Sequence, residues 1–307
     1  MPIVERDPWR FQYFDHVVCP GDVLIPTDDP DCWAWYPRHR WIYDKLRIAQ
    51  SQGLACGPHG VAPDSYPVFS KPMVNLKGMG IGSRVILNAE DMDRAYTPGH
   101  MWMELLSGAH VSTDCAVENG VIAWIRHATG HTWIDGMFKY WTIHAAADAP
   151  LETWLGKWVE SHMPDYTGML NFETIGGRII EAHLRFADQW CDLYGTGWVE
   201  ALVGLYSSDG WSFDDHRRLT GYSVPLFARH GEAFRHPPAE VQERIRALPH
   251  VSSLQITFHE GKAPGDHPMP PGGFRLGIIN CTYLGVGLAA RRQLANAFPE
   301  HLLQIPE

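Results

Sequence analysis

The sequence predicts an α+β protein with mixed and antiparallel sheets. Strand-like and helix-like patterns alternate along its 307 residues, two hairpins turn on Asn119-Gly120 and Gly176-Gly177, and no internal repeat or low-complexity tract interrupts them. Residues 15–26 read as one or two short strands. Arg38 to Gly53 reads as a helix, because Trp41, Ile42, Leu46, Ile48 and Ala49 recur at helical spacing and Gly53 ends the pattern. Residues 66–71 and 84–87 read as strands around a glycine-rich loop. Asn88 then caps a helix over Ala89 to Tyr96, with acidic residues in its first turn.

Strands follow at 101–106, 110–118 and 121–127, the last two joined by Asn119-Gly120. Residues 151–163 form an amphipathic helix rich in tryptophan, and 169–173 with 178–183 form the second hairpin. Beyond residue 186 a helical stretch to Leu205 is interrupted near Gly195 and Gly197. Strands at 220–229, 251–259 and 274–280 precede a closing helix at 286–298, and the segment from His259 to Gly273 is loop, holding four prolines and four glycines.

Composition limits the function. With 45% hydrophobic and 20% charged residues, the chain can bury a substantial core. A formal net charge of -10 without a Lys/Arg-rich run argues against a nucleic-acid surface. No apolar run is long enough to span a bilayer and the N-terminus lacks a signal-peptide pattern, so the expectation is a cytoplasmic protein without a membrane partner. Six scattered cysteines without C-x-x-C spacing read as reduced thiols.

Two segments about a hundred residues apart carry the chemistry. Tyr66-Pro-Val-Phe-Ser-Lys71-Pro72 delivers a lysine and leads into Asn75-Leu-Lys77-Gly78-Met-Gly80-Ile-Gly82-Ser83. Arg178-Ile-Ile-Glu181-Ala-His183-Leu-Arg185 delivers a carboxylate, an imidazole and a guanidinium at alternate positions of one strand. A lysine and glycine amides suit phosphates, and a carboxylate suits the divalent ion that accompanies them. Other patterns are weaker. His127 and His131 have i, i+4 spacing, which aligns ligands only on a helix, whereas Ala128-Thr-Gly130 reads as strand end or loop. Ser223, Ser252 and Ser253 lack a nucleophile-elbow motif.

The order of these parts resembles the ATP-grasp superfamily, chiefly over residues 43–186. Asp44-Lys45 and Gly53-Leu-Ala-Cys-Gly-Pro58 are similar to the family's opening lysine and Gly-x-x-x-P strand. Met103-Glu104-Leu-Leu106-Ser-Gly-Ala-His110 resembles its hinge, and Glu181-Ala-His183-Leu-Arg185 its E-x-N-x-R strand. The resemblance implies ATP and Mg2+ held between two α+β subdomains. It divides the chain into an abbreviated N-terminal part (1–65), a glycine-loop subdomain (66–105), a second subdomain (106–186) and a C-terminal α+β region (187–307). That last region completes the acceptor side of the cleft or an oligomer interface.

By the same resemblance Lys45 and Lys71 contact phosphates, with Lys77, Gly78, Gly80, Gly82 and Ser83 closing over them. Glu104 and Leu106 bracket the adenine, and His110 takes the ribose position, where Glu is usual. Glu181, Glu173 and His183 hold the metal, with His183 in place of Asn, and Arg185 attends the reacting carboxylate. A three-residue loop centred on Gly177 would set Glu173 across from Glu181; a two-residue turn would shift that register by one. Arg126 or Lys139 adds a further phosphate contact. The implied activity is a ligase that activates a small-molecule carboxylate for attack by an amine or another nucleophile. Two alternatives stand beside it: a catalytically degenerate nucleotide- or partner-binding protein, and a histidine-dependent metal hydrolase.

Overall fold

Two antiparallel sheets of unequal size organise the chain. The structure is a computed structural model that describes residues 3–207, 209–298 and 300–306. Strand β1 (Ile3–Val4) pairs in parallel with β2 (Ile25–Pro26) and is followed by helices α1 (Asp29–Trp35) and α2 (Lys45–Ser51). The smaller sheet comprises β3 (Cys56–Pro58), β4 (Val68–Pro72), β5 (Arg84–Ile86) and β6 (His100–Glu104), in the order β3-β6-β4-β5. Helix α3 (Ala89–Ala95) links β5 to β6, and the Asn88 side chain caps it by accepting from the Asp91 amide.

The larger sheet has eight strands: β7 (His110–Glu118), β8 (Val121–Thr132), β9 (Phe138–Ile143), β10 (Gly168–Ile175), β11 (Arg178–His183), β12 (Gly221–Ala228), β13 (Val251–Ile256) and β14 (Phe274–Cys281). Their spatial order is β11-β10-β7-β8-β9-β12-β14-β13, and neighbours are antiparallel. Because β12 pairs with β9, the strands after residue 187 extend the sheet begun at β7. Helix α4 (Ala149–His162) connects β9 to β10, α5 (Trp198–Tyr206) lies between β11 and β12, α6 (Ala239–Arg246) precedes β13 and α7 (Leu284–Ala295) follows β14.

Both faces of the sheet centre are covered. Cys115 and Val117 of β7 pack with Leu155, Trp158 and Val159 of α4, while Ala116 faces the other way toward Trp198 and Leu202 of α5. That is why 112–117 reads as an unbroken buried run rather than an alternating one. Each large side chain so buried contributes roughly 1.5–3 kcal/mol. A third core, with Leu254, Leu276, Ile279, Ala290 and Leu294, joins α7 to β13 and β14. No helix among the described residues is long and apolar enough to cross a membrane, and all six cysteines are free.

Several element expectations are corrected. Only residues 25–26 of the 15–26 stretch form strand. The expected helix at 38–53 breaks at Asp44, which turns extended (ψ 97°) to cap α2 through the Leu46 and Arg47 amides, leaving a 3-10 turn at Arg40–Tyr43. The expected helix at 186–205 exists only after Gly197, whose φ of 93° starts α5. Residues 127–131 are strand, part of β8. Helix α6 and strand β9 had no clear sequence signature.

Candidate active site

Along β7, β10 and β11 one sheet face is apolar at one end and polar at the other. Ala116 and Met169, paired across β7 and β10, belong to the core under α5. Further along that face Asp114 opposes Asn171 and Ser112 opposes Glu173. Strand β11 continues it, with His183 opposite Asn171 and Glu181 opposite Glu173.

The opposition of the two glutamates depends on a bulge. Gly176-Gly177 makes a two-residue turn, with Ile175 across from Arg178 and Thr174 across from Ile179; the register then slips, Glu173 meets Glu181, and Ile180 has no partner. The three-residue loop is thus corrected to a two-residue turn, and the extra residue sits in the strand instead. Ile180 packs with Leu54, Met101 and Met103 of the smaller sheet's core. At the turn itself the Gly176 amide donates to Ala109 O at 3.1 Å, and a Cβ on Gly176 would lie 2.3 Å from Ser107 O, so the hinge after β6 abuts this hairpin.

Two lysines reach β11 from the other side. Lys71 of β4 donates from Nζ to the bulged Ile180 carbonyl at 2.6 Å, and Lys45, the first residue of α2, places Nζ 2.8 Å from Glu181 Oε1. The Lys45 amide also bonds Met73 O at 2.8 Å, tying α2 to the end of β4. Burial, then the Lys45 charge, push the Lys71 amine down to about 7, with Glu181 opposing. Glu181 is raised by burial, but Lys45 and His183 more than offset this and hold it below the usual carboxylate range.

Beyond Glu181 the chain of contacts runs to a residue not singled out from sequence, Asp29 of α1. His183 Nδ1 lies 3.0 Å from both Asp29 oxygens, and Arg185 grips the same carboxylate with Nε and Nη2 at 2.9 Å each. The Tyr43 hydroxyl donates to Asp29 Oδ1 at 3.1 Å. Burial raises the Asp29 carboxyl, yet Arg185 and His183 together drive it well below the ordinary range. A signal existed: Asp28-Asp29-Pro30-Asp31 joins an Asp cap, a proline in the first turn and acidic residues, the pattern of a helix start. His183 Nε2 lies 3.9 Å from Glu181 Oε1, so its ring bonds Asp29 rather than that glutamate. Arg185 likewise is committed to Asp29.

On β7, His110 Nε2 and Glu173 Oε2 are 2.6 Å apart, with Phe138 and Trp141 rings at 5.2 Å and 5.6 Å. Burial opposes charge on His110, but its bond to Glu173 and that residue's charge raise its pKa overall. Glu104 ends β6 with its side chain accepting from the Ala55 amide at 3.1 Å, and Leu106 is partly buried against Met101 and Met103. The glycine loop is left-handed at Gly78, Met79, Gly80 and Gly82. Asn75 braces it, donating to Gly78 O and accepting from the Lys77 amide, while the Ser83 amide bonds Gly80 O.

Arg126 is not available to a phosphate. Its guanidinium bonds Asp215, His144 O and Leu219 O, and it is 1% exposed. His127 bonds Thr113 and approaches Glu152, whereas His131 bonds Thr142 and stacks on Tyr140, so the two do not converge. Among the described residues no three His, Cys, Asp or Glu side chains are grouped to hold a metal. Magnesium does not require such a cage, because it commonly takes one or two carboxylates with phosphates and water; Glu173 and Glu181, side by side on one face, fit that role.

No model of a protein family matches the chain, and no curated protein matches it. Solved structures do. The chain is similar to an L-amino acid ligase from Bacillus licheniformis, at 14% identity and a TM-score of 0.63 over 96% of this chain and 82% of that one. It is similar to N5-carboxyaminoimidazole ribonucleotide synthetase from Thermus thermophilus, at 16% identity and a TM-score of 0.56 over 100% and 83%. It is also similar to phosphoribosylamine–glycine ligase from Thermotoga maritima, at 13% identity and a TM-score of 0.59 over 93% and 85%.

Proposed function

Because the chain has an ATP-grasp fold, we propose that it is an ATP-dependent ligase that activates a small-molecule carboxylate as an acyl phosphate for attack by an amine or another nucleophile. One observation carries this reading: Lys45 and Lys71, from α2 and the smaller sheet, meet Glu181 and Ile180 O on the larger one. Two cations and two facing acids brought together where the two sheets meet match what a triphosphate and its counter-ion need.

In the reaction a carboxylate oxygen forms a bond to the γ-phosphorus as the bond to the β–γ bridging oxygen breaks and ADP departs. The nucleophile then attacks the acyl carbon, phosphate leaves, and the amine gives up a proton. The protein's share is positioning and charge neutralisation. Lys45 and Lys71 exchange their present partners for phosphate oxygens. The amides around Gly78, Gly80 and Gly82 face the phosphates as the loop closes. Glu173 and Glu181 would hold a magnesium ion, which would neutralise phosphate charge. Asp29 orients His183 and Arg185 at the end of β11.

This reading makes a pH prediction. The free protein carries Lys71 at about 7, below the ordinary 10.5. Phosphate oxygens in place of a carbonyl raise that value, so the complex binds more protons than the free protein between the two pKa values. ATP binding should therefore take up close to one proton at about pH 8 and weaken as pH rises through 7. Titration calorimetry in buffers of different ionisation enthalpy measures this. Lys71→Met should abolish the uptake and weaken ATP binding, and equal uptake in that variant would remove Lys71 from the site.

A second reading, nucleotide binding without turnover, draws support from the bidentate hold of Asp29 on Arg185. Phosphate release measured across carboxylate and amine mixtures separates the two. Binding of ATP with no release in any mixture would favour the second.

A further inference from the structure

A cavity of about 560 Å3 opens beside the start of α2, lined by Trp33, Arg38, Arg40, Trp41 and Arg47, with Pro37 and Val74 completing its wall. In a chain of formal net charge -10, three arginines share this one hollow. None of them belongs to the site described above. Lys45 turns its ammonium inward to Glu181, whereas its neighbours Asp44 and Arg47 line the cavity.

Two of the arginines are stacked on tryptophans. The Arg40 guanidinium lies over the Trp33 ring, 5.2 Å from its centroid, and the Arg47 guanidinium over the Trp41 ring at 5.0 Å. Buried rings hold both indoles in turn, since Trp33 packs on Tyr43 and Trp41 on Trp158, each at 6.0 Å. A guanidinium resting on an aromatic face keeps its N–H edge free, so it is oriented in advance and still able to donate.

Acids do not use up this charge. Asp165 pairs with Arg38 and His39. Asp44 is the one carboxylate in the lining, and its Oδ1 accepts from the Leu46 and Arg47 amides at 3.0 Å and 3.3 Å to cap α2. Among the described residues no carboxylate lies within ion-pair distance of Arg40 or Arg47.

We propose that this cavity binds a phosphoryl group, as free phosphate or as the phosphate ester of a small molecule, through the Arg40 and Arg47 guanidiniums. Two cations without an acid of their own match a dianion. A tetrahedral group can be gripped by forks arriving from two elements, here the 3-10 turn at Arg40–Tyr43 and α2, whereas one carboxylate offers two coplanar oxygens to a single fork. The volume falls within the range of small-molecule pockets, roughly 300–1,000 Å3, so there is room for an organic body against Pro37, Val74 and the indoles. The inference stands apart from the ligase reading, because it uses neither lysine nor either glutamate of that site.

The test uses the full chain and the variants Arg40→Gln, Arg47→Gln and Lys71→Met, titrated calorimetrically at low ionic strength with inorganic phosphate, phenyl phosphate and succinate. The wild-type chain should bind one equivalent of phosphate or phenyl phosphate. Each glutamine variant should bind about 10-fold more weakly or worse, and Lys71→Met should match wild type. Both glutamine variants should melt within a few degrees of wild type, because both arginines are exposed. Tighter binding of phenyl phosphate than of phosphate assigns the cavity to an ester, and equal binding assigns it to the free ion.

Undiminished binding in both glutamine variants overturns the proposal, as does a wild-type chain that binds neither phosphate. Loss of binding in Lys71→Met would place the anion at the lysine site instead. Succinate bound as tightly as either phosphate would reduce the effect to general attraction of a dianion, and would overturn the proposal too.

Discussion

Replacing Asp29 with alanine is expected to destabilise the protein by about 3–5 kcal/mol, the largest single-residue effect on stability outside the apolar core. Asp29 is 4% exposed and serves Arg185, His183 and Tyr43 at once. Removing it leaves a buried guanidinium with no acid and a tyrosine hydroxyl with no acceptor, and each of those is more costly than the bond itself. Urea unfolding of the two proteins measures the difference. The pH dependence has a definite sign. The folded-state pKa of Asp29 is depressed, so its contribution is present above the unfolded carboxylate value, about 3.9, and is lost as pH falls through the folded value. The alanine variant should lack that acid-side loss. A change under about 1 kcal/mol would show that water replaces the carboxylate and that the pairing is not a stabilising one.

Glu181→Gln is expected to have the largest effect on activity, lowering kcat on the order of a thousandfold. Glutamine keeps an oxygen for Lys45, now 2.8 Å from the carboxylate, so the fold should survive with a modest fall in melting temperature. What disappears is the negative charge that, with Glu173, fits a divalent cation. Phosphate release and thermal unfolding, measured on the same preparation, separate the two consequences. Full activity in the variant would mean that the metal and phosphates lie elsewhere.

How much of this was readable in advance depends on range. Local chemistry was legible: Asn88 caps α3, Asn119-Gly120 turns β7 into β8, and both glycine turns carry positive φ. The meeting of the Lys71 and Glu181 segments was legible only through resemblance, because nothing in either segment alone dictates that β4 should lie over β11. Asp29 escaped because α1 has seven residues, too few to show a period, and because its partners His183 and Arg185 lie more than 150 positions away. Arg126 shows the converse, since a cation placed near the right strands turned out to be fully used by Asp215 and two carbonyls.

The unmatched residue in β11 makes chain length a control on chemistry. With an uninterrupted ladder from the Gly176-Gly177 turn, Phe172 would face Glu181 and Ile180 would face Glu173, which would send the two acids to opposite sides of the sheet. Inserting one residue between Ile180 and Glu181, with the bulge kept, would set Glu181 opposite Phe172; this is a gentler lesion than altering either glutamate, yet it should silence metal-dependent turnover as completely while the strand still pairs. Phosphate release from the one-residue insertion, beside its circular dichroism spectrum, reads both outcomes. Insertions and deletions in this hairpin, more than substitutions, are the changes by which such a chain would gain or forfeit its chemistry.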